Sequence, residues 1–213
     1  GYNPYRITRE GIDWERPEAD NPWANIGYWG DHQIIYLLKL LELAQSHFPT
    51  ALSSLLSSDF FAYANVPYRI KDFDALLADP HNTITFDYKL DAAISLRVSE
   101  TGADGRLLWV GEQVYQVNLL EKLLVTGLAK LTNFIPGGGI WMNTQRPEWN
   151  DANNALVGTG VSVVTLCYLY RFFTVMRGLL FGAADHSIPV SREVVCLFDG
   201  VYGVLEEKGA ALV

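Results

Sequence analysis

The sequence predicts an all-α protein assembled from successive helical hairpins. Three observations predict it. Apolar residues recur at helical spacing in long runs, as at positions 34, 35, 37, 38, 41 and 43. Breakers separate the runs, among them Pro49, Pro80 and the Thr101-Gly-Ala-Asp-Gly105 stretch. No segment sustains the alternation of a half-buried strand, and Ile84-Thr-Phe86 and Leu107-Leu-Trp109 are at most short strands.

Residues 1–30 are rich in Pro, Trp and Gly, have little periodicity, and read as an extended or looped lead-in. Asp31 precedes the first apolar run, which Pro49 stops. Thr50 to about Ala64 reads as a second helix, joined to the first by the short Phe48-Pro49-Thr50 connection. Asp72 to Ala78 is a short helix ended by Asp79-Pro80, and Asp87 to about Glu100 is another. Gln113 to Asn133 is long and amphipathic. A polar, glycine-rich loop follows, then an apolar helix over Ala152–Phe181. Ser191 caps a last helix from Arg192 to about Lys208, closed by Gly209.

The chain has 213 residues, 49% hydrophobic and 19% charged. That suits one sizeable core and a single domain over residues 1–213. The net charge of −8, with no Lys/Arg run, argues against nucleic acid and against an anionic membrane surface. Neutral substrates remain compatible. Cys167 and Cys196, both in apolar helical context, read as buried reduced thiols, the pattern of a cytoplasmic protein. The apolar run Val161–Ala184 contains Arg171 and Arg177, so it reads as the buried helix of a soluble fold and not a membrane span.

The stretch Gly137–Gly160 carries the functional signal. It packs two tryptophans, two acids, one arginine, four Asn and five Gly into one loop. A plain helix connection needs only a short polar turn. Tryptophan covers the apolar C–H face of a pyranose, and amides, arginine and acids hydrogen-bond its hydroxyls. All six tryptophans (14, 23, 29, 109, 141, 149) lie in polar or Gly/Pro-containing segments. A single loop tryptophan is as readily a plug on the core, but the set favours a binding cleft. The Gly137-Gly-Gly139 run lacks the Lys-Ser/Thr of a phosphate loop and fits close backbone approach beneath a ligand or Trp141.

Gly27-Tyr-Trp-Gly-Asp-His32 at a helix start and Arg146-Pro-Glu-Trp-Asn-Asp151 before an apolar helix resemble the six-hairpin, (α/α)6-toroid glycosidases. Within that group the Trp149-Asn150-Asp151 triplet resembles the cellobiose-phosphorylase-like enzymes. The resemblance implies a toroid of helical hairpins, an oligosaccharide substrate, no cofactor, and Asp151 as the general acid that protonates the glycosidic oxygen. The chain is short for six long hairpins and reads as an incomplete toroid, part of a larger enzyme. Arg146 and His32 are the only basic residues beside the acidic motifs, which favours hydrolysis over phosphorolysis.

Inverting cleavage needs two carboxyl groups about 6.5–9.5 Å apart, one protonated and one ionised. Asp151, Glu148 and Asp31 are the candidates, with Asp151 or Glu148 as acid and the other acid or Asp31 as base or sugar ligand. Each has a plainer reading. Asp151 and Asp31 stand where helix caps stand, and Glu148 reads equally as a surface acid. Trp149, Trp141 and Trp29 are the expected sugar platforms, with Asn150, Arg146, His32, Asn143, Gln145 and Asn154 as polar contacts. The amides serve equally to satisfy loop backbone, and His32 as a first-turn residue. The four His are scattered and no metal-ligand spacing occurs, so no metal is expected. Two other classes stay open. One is a non-catalytic sugar-binding helical module. The other is a helical interaction protein, joined to the rest of a longer chain or to a second copy.

Overall fold

The computed structural model describes residues 5–8, 11–14, 31–80, 82–143, 158–181 and 187–209. Strands β1 (Tyr5–Thr8) and β2 (Gly11–Trp14) form an antiparallel hairpin. Helix α1 (Asp31–His47) follows, and α2 (Pro49–Leu55) starts with proline in its first turn, where a missing N–H costs nothing. Two short strands, β3 (Phe61–Ala62) and β4 (Tyr68–Ile70), lead to α3 (Phe73–Ala78). Then come β5 (Ile84–Phe86), α4 (Tyr88–Thr101), a 3-10 turn (Gly102–Arg106), and strands β6 (Trp109–Val110), β7 (Gln113–Val114) and β8 (Gln116–Val117). Helix α5 (Leu119–Leu131) runs into β9 (Phe134–Ile135) and β10 (Gly139–Trp141). Strand β11 (Val161–Ser162), α6 (Val163–Phe181) and α7 (Arg192–Lys208) complete the described chain.

The core is helical. Ile34, Ile35, Leu38 and Leu41 form one buried stripe of α1 at spacings of one, four and seven residues. They pack with Leu119 and Leu123 of α5 and Leu169, Phe172, Met176 and Leu179 of α6. Ile140 of β10 and the α2 residue Leu52 join the same cluster. Gly127 lets α5 approach α6 closely, because a Cβ there would stand 3.0 Å from the Phe173 ring.

Several predicted helix starts match their caps. Asp72 accepts from the Ala75 N–H at 2.9 Å and opens α3. Asp87 accepts from the Lys89 and Leu90 N–H groups and opens α4. Each bond satisfies a donor that the first turn otherwise leaves unpaired.

The all-α expectation is overturned. Small antiparallel sheets stand between the helices: β1–β2, β3–β8, β4–β5, β6–β7 and the three-stranded β9–β10–β11. Their strands run two to four residues, too short for alternation to show. Phe61 pairs with Val117, so the information that makes β3 a strand lies far along the chain. The expected second helix therefore stops at Leu55, and the expected long helix from Gln113 begins only at Leu119. The helices and sheets of the described residues do not form an (α/α)6 toroid.

Two further expectations change. Cys167 and Cys196 are both exposed thiols, and Cys196 lines a groove against Leu131 and Phe134. Val163–Phe181 is long and apolar enough to cross a membrane by length and composition, yet it is only partly buried here. Thr165, Leu169, Phe172, Met176 and Leu179 face the core, while Val163, Val164, Tyr170 and Phe181 are exposed. Arg171 turns to α1, where its guanidinium makes a two-point pair with Glu42 at 2.7 and 2.8 Å.

Candidate functional site

The glycine-rich loop begins as a β-hairpin. Gly137 takes a left-handed φ of 71° in the turn between β9 and β10, and the Gly138 N–H donates to the Ile135 carbonyl at 3.0 Å. The Gly run thus serves the hairpin turn and, at Gly139, close approach to the Ser162 backbone. Strand β10 then delivers Trp141 and, two residues on, Asn143.

The backbone around these two residues is tied on both sides. The Trp141 N–H donates to the Asn133 carbonyl at 2.7 Å, and the Met142 N–H to the Gly160 carbonyl at 3.0 Å. The Gly158 N–H donates to the Met142 carbonyl at 2.7 Å, and the Trp141 indole Nε1–H to the Gly158 carbonyl at 3.1 Å. Gly158 itself has φ 80°, and a Cβ there would collide with Pro80. Met142 and Gly158 are thus held together beside Trp141.

Beside that junction lies a cleft of about 280 Å³. Phe73 and Leu76 of α3, Ile70 and Thr83 line one side, and Ala129, Thr132, Asn133, Trp141 and Asn143 the other. Phe73 is 62% exposed and meets the Trp141 ring edge-to-face, with centroids 6.0 Å apart. The polar side is a relay of amides. Asn143 Nδ2 donates to Asn133 Oδ1 at 2.9 Å, and Asn133 Nδ2 donates to the Ala129 carbonyl at 3.1 Å. Asn143 Oδ1 is buried and has no hydrogen-bond partner among the described residues. A buried acceptor left without a donor costs roughly 1–3 kcal/mol. The described lining contains no charged side chain. It offers aromatic surface, two amides and two hydroxyls, the equipment for a neutral, polar ring.

Of the residues expected in the site, the structure brings Trp141 and Asn143 together. Trp29, Gln145, Arg146, Glu148, Trp149, Asn150, Asp151 and Asn154 lie outside the described residues. Asp31 and His32 open α1, and their side chains also lie outside the described part. Sequence reasoning missed Phe73, Thr83 and Asn133. Phe73 reads only as the first residue of a short helix and Asn133 as the end of a long one, and no local pattern places them beside Trp141.

A second polar cluster sits at the opposite end of α5. Glu121 is 3% exposed, and its carboxylate accepts from the Tyr63 hydroxyl at 3.1 Å, the Ser191 N–H at 2.6 Å and the Ser191 hydroxyl at 3.0 Å. Asn118 caps α5 by accepting from the Glu121 N–H at 2.9 Å, and its Nδ2 donates to the Pro189 carbonyl at 2.6 Å. Burial, then the charge and hydrogen bond of Glu121, push the Tyr63 phenol far above its ordinary pKa. The Lys122 ammonium lies 4.0 Å from the Tyr63 ring centroid and donates to the Ala62 carbonyl at 3.0 Å, and burial pulls its pKa below the ordinary value. Every partner of Glu121 is a structural group of β3's neighbourhood or of the α7 N-terminus, so this cluster holds elements together.

Fold and site together define a mainly helical protein with small sheets and a neutral aromatic–amide cleft. No family model matches the chain, and no curated protein matches it.

Proposed function

We propose that the protein is a carbohydrate-active enzyme that cleaves a glycosidic bond in an oligosaccharide with inversion, by hydrolysis. The observation that carries this reading is the exposed Phe73 set edge-to-face with Trp141 beside the Asn133 and Asn143 amides, in a cleft whose described lining is uncharged. Sugar hydroxyls hydrogen-bond the amides and threonine hydroxyls of the lining, and the C–H face of the ring covers Trp141 and Phe73. The resemblance of Arg146-Pro-Glu-Trp-Asn-Asp151 to six-hairpin glycosidases adds the chemistry. In this reading Asp151 or Glu148 protonates the leaving oxygen, and the other acid or Asp31 activates water on the opposite face. Trp149 and Trp29 extend the platform, with Asn150, Arg146, His32, Gln145 and Asn154 as hydroxyl contacts.

The test is a titration of the purified chain with neutral oligosaccharides, followed by product analysis with and without inorganic phosphate. Saturable binding that Asn143→Leu removes, with free sugar released and turnover lost in Asp151→Asn, supports the reading. Sugar 1-phosphate as product replaces hydrolysis with phosphorolysis. A second reading, a non-catalytic sugar-binding module, draws on the lack of any carboxylate in the described cleft lining. It predicts the same binding, no product, and no bell-shaped pH–rate profile.

A further inference from the structure

We propose that α7 is a latched arm: it opens from α5 as a unit while the rest of the core stays folded, and the contact between Glu121 and Ser191 is the latch. The body of α7 is lightly seated. Of its 17 residues Val194 alone is buried, whereas α5 buries six of 13. Val201 and Leu205 continue the stripe that Val194 begins and are only half-buried. Grooves of about 520 and 600 Å³ flank the helix, one toward Phe173 and Phe181 of α6 and the other toward Phe134 of β9. A helix with few buried apolar contacts belongs to the low-stability end of a fold, where opening is local.

The polar ties stand at one end. Glu121 accepts from the Ser191 N–H and hydroxyl at 2.6 and 3.0 Å, and Asn118 donates to the Pro189 carbonyl at 2.6 Å. Ser191 makes no side-chain bond to the first turn of α7, so its hydroxyl is spent on α5. The Glu121 carboxylate thereby stands at the positive end of the α7 dipole. Past Ser191, no hydrogen bond or ion pair among the described residues joins α7 to another element. Tyr202 bonds to Glu206 and Lys208 to Glu207, both within the helix. The helix is also weak in its middle. Gly200 and Gly203 lie in its interior, and a Cβ at either would meet nothing within 4 Å. No close approach requires these glycines, so each weakens the helix without a gain in packing. Opening exposes Leu124, Leu128 and Leu131 of α5 to water, and that cost holds the arm closed at rest.

The experiment is amide hydrogen exchange on the purified chain under native conditions, read helix by helix. Amides of α7 are expected to exchange at least about tenfold faster than those of α5 and α6. Ser191→Ala removes the hydroxyl bond to the Glu121 carboxylate and should open α7 roughly tenfold more often, with α1 and α6 unchanged. Gly203→Ala adds a methyl group in open space and should slow α7 exchange about fivefold, again with α1 and α6 unchanged. Equal protection of α7 and α5 in the unsubstituted chain overturns the proposal, because α7 then opens only with the whole fold. An unchanged α7 rate in Ser191→Ala overturns the latch. A change that either variant spreads equally over α1, α6 and α7 also overturns the proposal, because the substituted residue then serves global stability. If Ser191→Ala does not fold, the unsubstituted chain and Gly203→Ala carry the test.

Discussion

The two ends of α5 treat buried polar atoms in opposite ways. At the N-terminal end Glu121 brings a full charge into the interior, and three donors from two distant segments meet it. At the C-terminal end the Asn133–Asn143 relay is neutral, and one carbonyl oxygen is left over. A satisfied buried carboxylate holds a structure together. The neutral acceptor beside Trp141 has no donor among the described residues. Hydrogen-bond satisfaction, and not residue type, separates the structural network from the candidate site. A buried acid is commonly taken as a sign of catalysis, but here it is scaffold.

The sharpest way to break this contrast is Glu121→Ala. It strands the Tyr63 hydroxyl and the Ser191 N–H and frees the start of α7, so urea unfolding should show a loss of about 3–5 kcal/mol. A loss under about 1 kcal/mol would mean that the cluster holds nothing. Trp141→Ala comes next. It removes the edge-to-face contact with Phe73 and the indole bond to Gly158, and should cost about 2 kcal/mol together with all measurable sugar affinity. Sugar binding that survives it would move the site elsewhere.

Asn143→Leu probes the other end of α5. It deletes the unpaired acceptor but also the donor to Asn133 Oδ1, so stability should fall by about 1–2 kcal/mol while calorimetric sugar binding falls roughly tenfold or more. A large stability loss would show that Asn143 is as structural as Glu121.

A smaller effect is expected in alkali. The folded-state pKa of Tyr63 is raised, so the folded chain holds that proton more tightly than the unfolded chain. The resulting stability is fully present below the ordinary tyrosine value near ~10 and is lost as pH rises above it. Tyr63→Phe should flatten the decline in denaturant midpoint between about pH 10 and 11 relative to wild type. The smallest effect belongs to Glu42→Gln. The Arg171–Glu42 pair is exposed by 57% and 31% at its side chains, and breaking it should cost at most about 1 kcal/mol, less at high salt.

Legibility followed distance along the chain. Caps and stops are local, and so Asp72, Asp87, Pro49 and Ser191 mark real helix boundaries. Trp141 and Asn143 were legible because unusual residue types crowd one short stretch. Phe73 and Asn133 were not, because each joins the cleft only through packing between elements. Glu121 was invisible for the same reason. It lies in an ordinary amphipathic helix, and its partners stand 58 and 70 residues away.

The sequence by itself determined where α1, α3, α4 and α7 start and which residues of α1 form its apolar face, while it placed the starts of α5 and α6 too early, at Gln113 and Ala152 in place of Leu119 and Val163. Helical period, capping and turn chemistry act within a few residues, and one chain displays them in full. Tertiary structure alone decided that two-residue strands pair across the chain, that α6 leaves an apolar flank open, and that one buried carboxylate is a clamp while one buried amide oxygen stays unclaimed. Those outcomes depend on which side chains meet across long separations, where each desolvated polar atom either finds a partner or does not.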